Sequence, residues 1–349
     1  MLKGITGNGV EQLNSARRYL SYRHTWISRQ FFNSRNKTLA LFFGNQTGKN
    51  ALIAYNYVRR ILGTHPIAEK NALYFECENK HTFAPYIVAN GAITVCPSCK
   101  ATLRPHVREC RVYRFISEVQ PLPSGITEQA DGFQNEGSAE IRNTQYPEFK
   151  KWLPPYLLKK DITIRDRSQV ITDPFGYGDI IIDYSSYSQT KQSQSGVQRI
   201  SIWADEQPPE GFLDEQTPRL FAENGDLIIT YTPVENITYL YDQVFERAKT
   251  FYRTKVICEK YYKKHENKNV AQIETTNSPV DIAVFQAATD DNPIFAGRDI
   301  EEMYSLYDDV DRIIMRRFGI FKAISGRIFK SFDPRVHIID DNKYFAFAA

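Results

Sequence analysis

An apolar run, Thr38-Leu-Ala-Leu-Phe-Phe43, passes directly into Gly44-Asn-Gln-Thr-Gly-Lys-Asn50 and then into the helical pattern Ala51-Leu-Ile-Ala-Tyr-Asn-Tyr-Val58. Strand, glycine-bearing turn and helix in that order restrict the chain to few folds, and they also build a site. Glycines let the backbone turn so that its N–H groups face phosphate oxygens, the positive end of the following helix adds attraction, and a lysine can reach the terminal phosphates. On this reading Gly44, Asn45, Gln46, Thr47, Gly48, Lys49 and Asn50 form a phosphate loop whose lysine is Lys49. The run departs from the general G-x-x-x-x-G-K-[ST] form at both ends. Phe43 stands at the first glycine, and Asn50 replaces the hydroxyl that normally ligates Mg²⁺; a plain turn is the alternative.

Two later features give the loop a context. The strand Arg199-Ile-Ser-Ile-Trp-Ala204 ends in Asp205-Glu206, and open α/β sheets bind ligands at the carboxyl ends of their strands. An aspartate there can hold Mg²⁺ beside phosphates, and the adjacent glutamate can accept a proton from an attacking water. The next apolar strand, Asp226-Leu-Ile-Ile-Thr-Tyr-Thr232, follows the turn Asn224-Gly225 and is stopped by Pro233, leaving the Thr230 and Thr232 hydroxyls at its end. Arg111–Ser117 reads as another strand. Leu158–Ser188 reads as a hairpin region, with Ile162–Arg165 and Val170-Ile171 set against Asp179–Tyr184 after a turn at 174–178. Apolar strands alternating with helices predict an α/β fold with a central, mostly parallel sheet flanked by helices.

The 349 residues, 42% of them hydrophobic, can bury one large core or two smaller ones. No run of about twenty apolar residues occurs and the amino terminus has no signal-peptide core, so a soluble, cytoplasmic protein without membrane contact is expected. A formal charge of +3 does not mark a nucleic-acid binder by itself. Basic residues do cluster at Arg17, Arg18, Arg23 and Arg29, and again over 247–264 among Phe251, Tyr252, Tyr261 and Tyr262. The second cluster is either a DNA-facing surface or a solvated helix face. Residues 11–29 read as helical and 118–146 as a long loop. From Asp281 the pattern becomes helical again, with the helical stretch at Asp299 to Phe318 and a short β-like tail at 326–332.

Five cysteines without an export signal argue against a disulfide framework. Four of them fall within residues 77–110, where Cys77-x3-His81 is followed by Cys96-Pro-Ser-Cys99. Two paired ligand groups supply the four donors of a closed structural Zn²⁺ site, with Cys110 and His106 as alternatives to His81. Reduced, unliganded cysteines are the other reading.

Gly44-Asn-Gln-Thr-Gly-Lys49, Ile202-Trp-Ala-Asp-Glu-Gln-Pro-Pro209, Thr230-Tyr-Thr-Pro233 and Asp290-Asp-Asn-Pro293 occur in an order that resembles the ATPase domain of the large terminase subunit, over about residues 15–335. That family packages double-stranded DNA into the capsids of tailed phages. The resemblance implies an additional-strand, RecA-like P-loop NTPase that uses ATP and Mg²⁺. It assigns Lys49 and Glu206 to catalysis, Asp205 and Asn50 to Mg²⁺, Gln30 to the adenine, and Thr230 and Thr232 to coupling. The short glycine loop is ordinary in the family, and zinc-ribbon insertions such as 73–104 occur in some members. The implied partners are double-stranded DNA, a portal protein, a small terminase subunit and further copies of the chain in a ring, all in the host cytoplasm. Two departures stand out. The family usually has Thr or Ser at Asn50, and often an arginine at Gln46; an arginine finger then comes from elsewhere, with Arg165 and Arg167 as candidates.

The expected division is an ATPase core over 1–280 and a helical linker or lid subdomain over 281–349. A nuclease domain is expected to be absent and Asp340-Asp341 to be a turn, so the chain should hydrolyse ATP without cutting DNA. Two rival functions fit parts of the sequence: a superfamily-2-type helicase, which needs a second RecA-like lobe, and a zinc-stapled DNA-binding assembly protein whose loop no longer hydrolyses ATP.

Overall fold

A computed structural model describes residues 21–89, 91, 93–108, 110–118, 144–163, 165–187, 198–234, 239–262, 271–295 and 299–322. In chain order these form helix α1 (Trp26–Asn33), strand β1 (Thr38–Phe43), helix α2 (Lys49–Ile61), strands β2 (Leu73–Glu76) and β3 (Thr82–Phe83), helix α3 (Pro85–Ala89), and strands β4 (Arg104–Val107) and β5 (Val112–Ser117). Helix α4 (Gln145–Trp152) precedes strands β6 (Leu158–Lys160), β7 (Ser168–Thr172), β8 (Asp179–Ser186) and β9 (Ser201–Asp205). Helix α5 (Phe212–Phe221), strands β10 (Asp226–Tyr231), β11 (Thr250–Arg253), β12 (Gln272–Thr275) and β13 (Ile282–Ala287), and helices α6 (Ile300–Tyr304) and α7 (Val310–Phe318) complete the order. No helix among the described residues is long and apolar enough to cross a membrane.

The main sheet runs β12-β11-β13-β1-β10-β9-β5-β8-β7-β6. From β11 to β8 every neighbouring pair is parallel, and only the outer pairs β12–β11, β8–β7 and β7–β6 are antiparallel. Parallel strands are covered on both faces, which is why β9, β10 and β13 are buried at every residue while edge strand β12 is exposed at every residue. Side chains alternate between the faces. Leu39, Leu41 and Phe43 of β1 join the core under α1 and α2, whereas Ala40 and Phe42 join the one holding Phe212 and Leu220 of α5. A separate sheet, β3-β2-β4, carries the cysteine-rich segment.

Several expectations are corrected. Residues 21–25 are not helical; α1 starts at Trp26, where the Thr25 hydroxyl accepts from the Ser28 N–H (3.3 Å) and caps it. Ile162 and Thr163 lie outside any strand, and the hairpin is β7–β8, with β6 further out. The helical reading after 281 fails for Ile282–Ala287, which pairs in parallel with both β1 and β11; a boundary at 280/281 would cut through the sheet. The short run is apolar on both faces, a pattern that periodicity alone does not separate from a buried helix turn. Residues 247–262 are not one basic face, because Arg253 is buried, stacks on Phe251 and Tyr262 and pairs with Glu274 and Gln286, although Lys249, Lys255 and Lys260 are exposed. Residues 11–20, nearly all of the loop read over 118–146, the tail at 326–332 and Asp340-Asp341 fall outside the described residues.

At the amino-terminal edge of the sheet Arg60 of α2 meets Asp226 of β10 in two bonds of 2.7 Å, with Lys70 at 3.2 Å. Burial alone would raise the Asp226 carboxyl, but Arg60 and Lys70 hold it well below the usual carboxylate range. A depressed carboxylate contributes stability that is complete above its unfolded value of about 4 and is lost as pH falls below it. Asp226→Ala leaves Arg60 buried without a counterion and is expected to cost about 3–5 kcal/mol in chemical denaturation. An effect well under 1 kcal/mol would show that the pair does not anchor α2 to the sheet.

Candidate active site

β1 ends at Phe43 and the chain turns through residues 44–48 into α2, whose N-cap Gly48 is left-handed (φ 83°). Gln46 is also left-handed (φ 54°), a conformation that costs a non-glycine residue about 1–2 kcal/mol. The loop is gripped from one side by the chain after β13. Gly44 N–H donates to Ala287 O (2.9 Å), Asn45 N–H to Arg316 O (2.6 Å), the Thr289 hydroxyl to Asn45 O (2.8 Å) and the Asn292 amide to Gln46 O. Gly44 is required by space, since a Cβ there would lie 2.1 Å from Arg317 O. Thr47 closes the turn, its hydroxyl donating to Gly44 O at 3.0 Å.

β10 lies between β1 and β9, so the strand bearing Thr230 separates the loop strand from the Asp-Glu strand. The three strand ends meet through side chains. Lys49 Nζ donates to Thr232 Oγ1 at 2.6 Å and lies 3.4 Å from Glu206 Oε1. Thr230 Oγ1 donates to Asp205 Oδ1 at 2.6 Å and accepts from Trp203 Nε1 at 2.9 Å. Asp205 is buried and Glu206 is half-buried. Glu206 turns left-handed (φ 63°), and its N–H donates to Thr230 O at 2.8 Å. Its carboxyl is raised above the ordinary value by burial, with Lys49 pulling it down and Asp205 pushing it up.

Thr144, which the sequence reading did not single out, is drawn into the same group. Its hydroxyl donates to Asp205 Oδ2 at 2.9 Å and accepts from Asn50 Nδ2 at 2.8 Å. No local pattern signals it, because it follows a long polar segment and meets Asn50 from 94 positions away. Asn50 Oδ1 is buried without a hydrogen-bond partner among the described residues. Asp205 together with this orphaned amide oxygen offers hard oxygen donors, the chemistry Mg²⁺ prefers.

The other expected residues are placed less closely. Gln30 is half-buried on α1, and no hydrogen bond among the described residues ties it to the loop. Arg165 and Arg167 precede β7, near the carboxyl half of β8, where Tyr184 N–H donates to Arg167 O at 3.0 Å. That is the loop's edge of the sheet, but five strand positions from β1, or about 24 Å at the usual spacing. They cannot reach their own chain's loop. Asp290 pairs with Arg317 (2.7 and 2.8 Å) and Lys260 (2.7 Å), and Asp291 accepts from Thr254 Oγ1 (2.6 Å) and Ala288 N–H (2.8 Å).

Cys77, His81, Cys96 and Cys99 bring their donor atoms within 4.8 Å of one another. Cys77 Sγ and Cys96 Sγ lie 3.5 and 3.3 Å from His81 Nδ1, and Cys99 Sγ lies 3.5 Å from Cys77 Sγ. Zn–S bonds of about 2.3 Å set thiolates about 3.8 Å apart on a tetrahedron, so the set fits that ion closely. Each ligand pair sits on a tight turn with a left-handed lysine, Lys80 N–H donating to Cys77 O (2.9 Å) and Lys100 N–H to Cys96 O (2.8 Å). The Ala101 N–H and the Asn79 side chain push the Cys99 thiol down to about 6. The alternative ligands are engaged elsewhere: Cys110 Sγ contacts Gln198 O and His106 stacks on Tyr74.

No protein-family model matches the sequence, and no curated protein does. Among solved structures the chain is similar to the large terminase ATPase domain of Thermus phage P74-26. A point mutant of that domain gives a TM-score of 0.49 at 13% identity, covering 87% of this chain and 97% of that one. The form without the mutation gives 0.48 at 13% identity, covering 86% and 94%. The large terminase of a second thermophilic bacteriophage gives 0.45 at 13% identity, and there 93% of this chain spans 56% of that one.

Protein purified without chelator is expected to carry one equivalent of zinc per chain. Cys96→Ser should lower the melting temperature by about 1–2 °C or more, since 1 kcal/mol moves a chain of this size less than the roughly 2–4 °C of a smaller domain, and leave nucleotide binding intact. Elemental analysis finding no zinc rules the site out.

Proposed function

We propose that this chain is the ATP-hydrolysing motor subunit of a viral DNA-packaging terminase, translocating double-stranded DNA into a procapsid. The observation that carries the reading is the placement of β10 between β1 and β9. It sets the contacts of Lys49 with Thr232 and Glu206 beside the Thr230–Asp205 bond at the carboxyl edge of a parallel sheet, the two sets joined by the Glu206 N–H to Thr230 O. In this reading the backbone of residues 44–48 and Lys49 receive the phosphates, and Lys49 neutralises charge that grows on them. Asp205 would hold Mg²⁺, with the Asn50 amide oxygen or a hydroxyl that Asn50 orients as a second donor, and the ion would offset phosphate charge. Glu206 takes the proton of the attacking water, for which a raised carboxyl is a better base than an ordinary one. Lys49 contacts both Glu206 and Thr232, so drawing Lys49 toward phosphate releases the base and the Thr232 hydroxyl together. That is a direct route from nucleotide state to β10.

The structural Zn²⁺ would staple the β3-β2-β4 insertion. Arg165 and Arg167, on the loop's edge but far from it, suit a contact with a neighbouring copy in a ring better than with their own site. Double-stranded DNA, a portal protein and a small terminase subunit are the proposed partners, in the host cytoplasm.

Glu206→Gln is expected to lower ATP turnover by about 10²–10⁴-fold while ATP binding persists, because the amide keeps the shape but takes no proton. Turnover near the parent rate in that variant rejects the assignment of Glu206. Asp205→Ala should instead weaken Mg·ATP binding. The parent's kcat/KM should rise with pH through a midpoint above the ordinary glutamate value of about 4.3, since only the deprotonated form is a base. Stimulation of turnover by double-stranded DNA or a portal ring distinguishes a packaging motor from an isolated ATPase.

A further inference from the structure

Asp205 accepts one hydroxyl on each carboxylate oxygen, and the two hydroxyls differ in origin. Thr230 is a buried residue of β10, inside the sheet. Thr144 comes from outside it, at the start of α4. A threonine at a helix N-cap ordinarily turns its hydroxyl back onto its own helix. Thr144 makes no such cap, and its hydroxyl is committed to Asp205 and Asn50 instead. The rest of α4 is tied to the core. Gln145, fully buried next door, donates to Trp203 O of β9 (3.0 Å) and Ile116 O of β5 (3.4 Å), and Trp152 at the other end of α4 meets Tyr55 of α2 edge-on at 5.5 Å.

A hydroxyl has one proton and two lone pairs. An ionised carboxylate only accepts, so the Thr144 proton goes to Asp205. Asn50 must then present its NH₂ to Thr144, which occupies one lone pair and leaves the other unassigned. The same constraint turns Asn50 Oδ1 away from Thr144 and accounts for that buried oxygen having no partner. The residue in the usual hydroxyl position of the loop therefore orients a hydroxyl supplied from another element.

We propose that Thr144 provides the hydroxyl ligand that the loop lacks at Asn50, completing the divalent-cation site with Asp205; the proposal rests on the ATPase reading above. The test is binding of a fluorescent ATP analogue by the full chain, titrated with Mg²⁺, titrated with Mn²⁺ and repeated in EDTA. Thr144→Val should raise the Mg²⁺ midpoint by about tenfold or more, with cation-free binding unchanged, and Thr144→Ser should behave as the parent. Thr144→Cys should need as much Mg²⁺ as the valine variant yet keep a Mn²⁺ midpoint near the parent's, because a thiolate tolerates the softer ion better. A change in packing alone would move both cations and cation-free binding together. The proposal is overturned if Thr144→Val and Thr144→Cys keep the parent's Mg²⁺ midpoint, or if every variant shifts Mg²⁺, Mn²⁺ and cation-free binding alike, while the parent shows cation-dependent binding. A parent that binds no nucleotide under any condition overturns the ATPase reading as well, and is told apart by that.

Discussion

The backbone of residues 44–48 belongs to no ladder of its own, so its shape is imposed by what lies against it. Gly44 and Asn45 N–H groups are tied to Ala287 and Arg316, and the carbonyls of Asn45 and Gln46 to Thr289 and Asn292. The approach is backbone against backbone. A Cβ on Gly44 would meet Arg317 O at 2.1 Å, and one on Gly319, the left-handed cap of α7, would meet Phe42 O at 2.5 Å. Arg317 is fixed in turn by Asp290 and Glu301. The loop therefore takes its form from the segment after β13, and a change in that segment's position is felt directly at the loop.

That dependence explains which parts of the fold were legible in the sequence. β1, β5, β9 and β10 were readable because strands covered on both faces are continuous apolar runs closed by turn residues. β13 has the same character, Ile-Ala-Val-Phe-Gln-Ala, but six residues of it cannot be told from a helix turn without knowing that β1 needs a partner on that side. The cysteine cluster was legible because its ligands come in two local pairs, which fix most of the geometry before any long-range contact forms. Thr144 was not, since its role comes only from α4 packing on α2, a relation with no trace in spacing. The two arginines lie five strand positions from β1, a placement in which they could serve only the loop of a neighbouring copy.

The two edges of the sheet handle charge differently. At the amino-terminal edge Arg60 and Lys70 share the one carboxylate of Asp226 in a buried group, a device for holding α2 to β10. At the carboxyl edge the contacts are looser. Lys49 reaches Glu206 only at 3.4 Å, the Glu206 carboxyl is displaced from its ordinary value, Asn50 Oδ1 has no partner among the described residues, and Gln46 and Glu206 carry left-handed backbones. Costs of this kind collect where a ligand later supplies the missing contacts. α2 joins the two edges: its last turn is clamped by Asp226 and its first residues are Lys49 and Asn50. A helix anchored at its far end can present Lys49 to an incoming anion without itself having to be ordered by binding, which is the condition for a phosphate site that is selective before it is occupied.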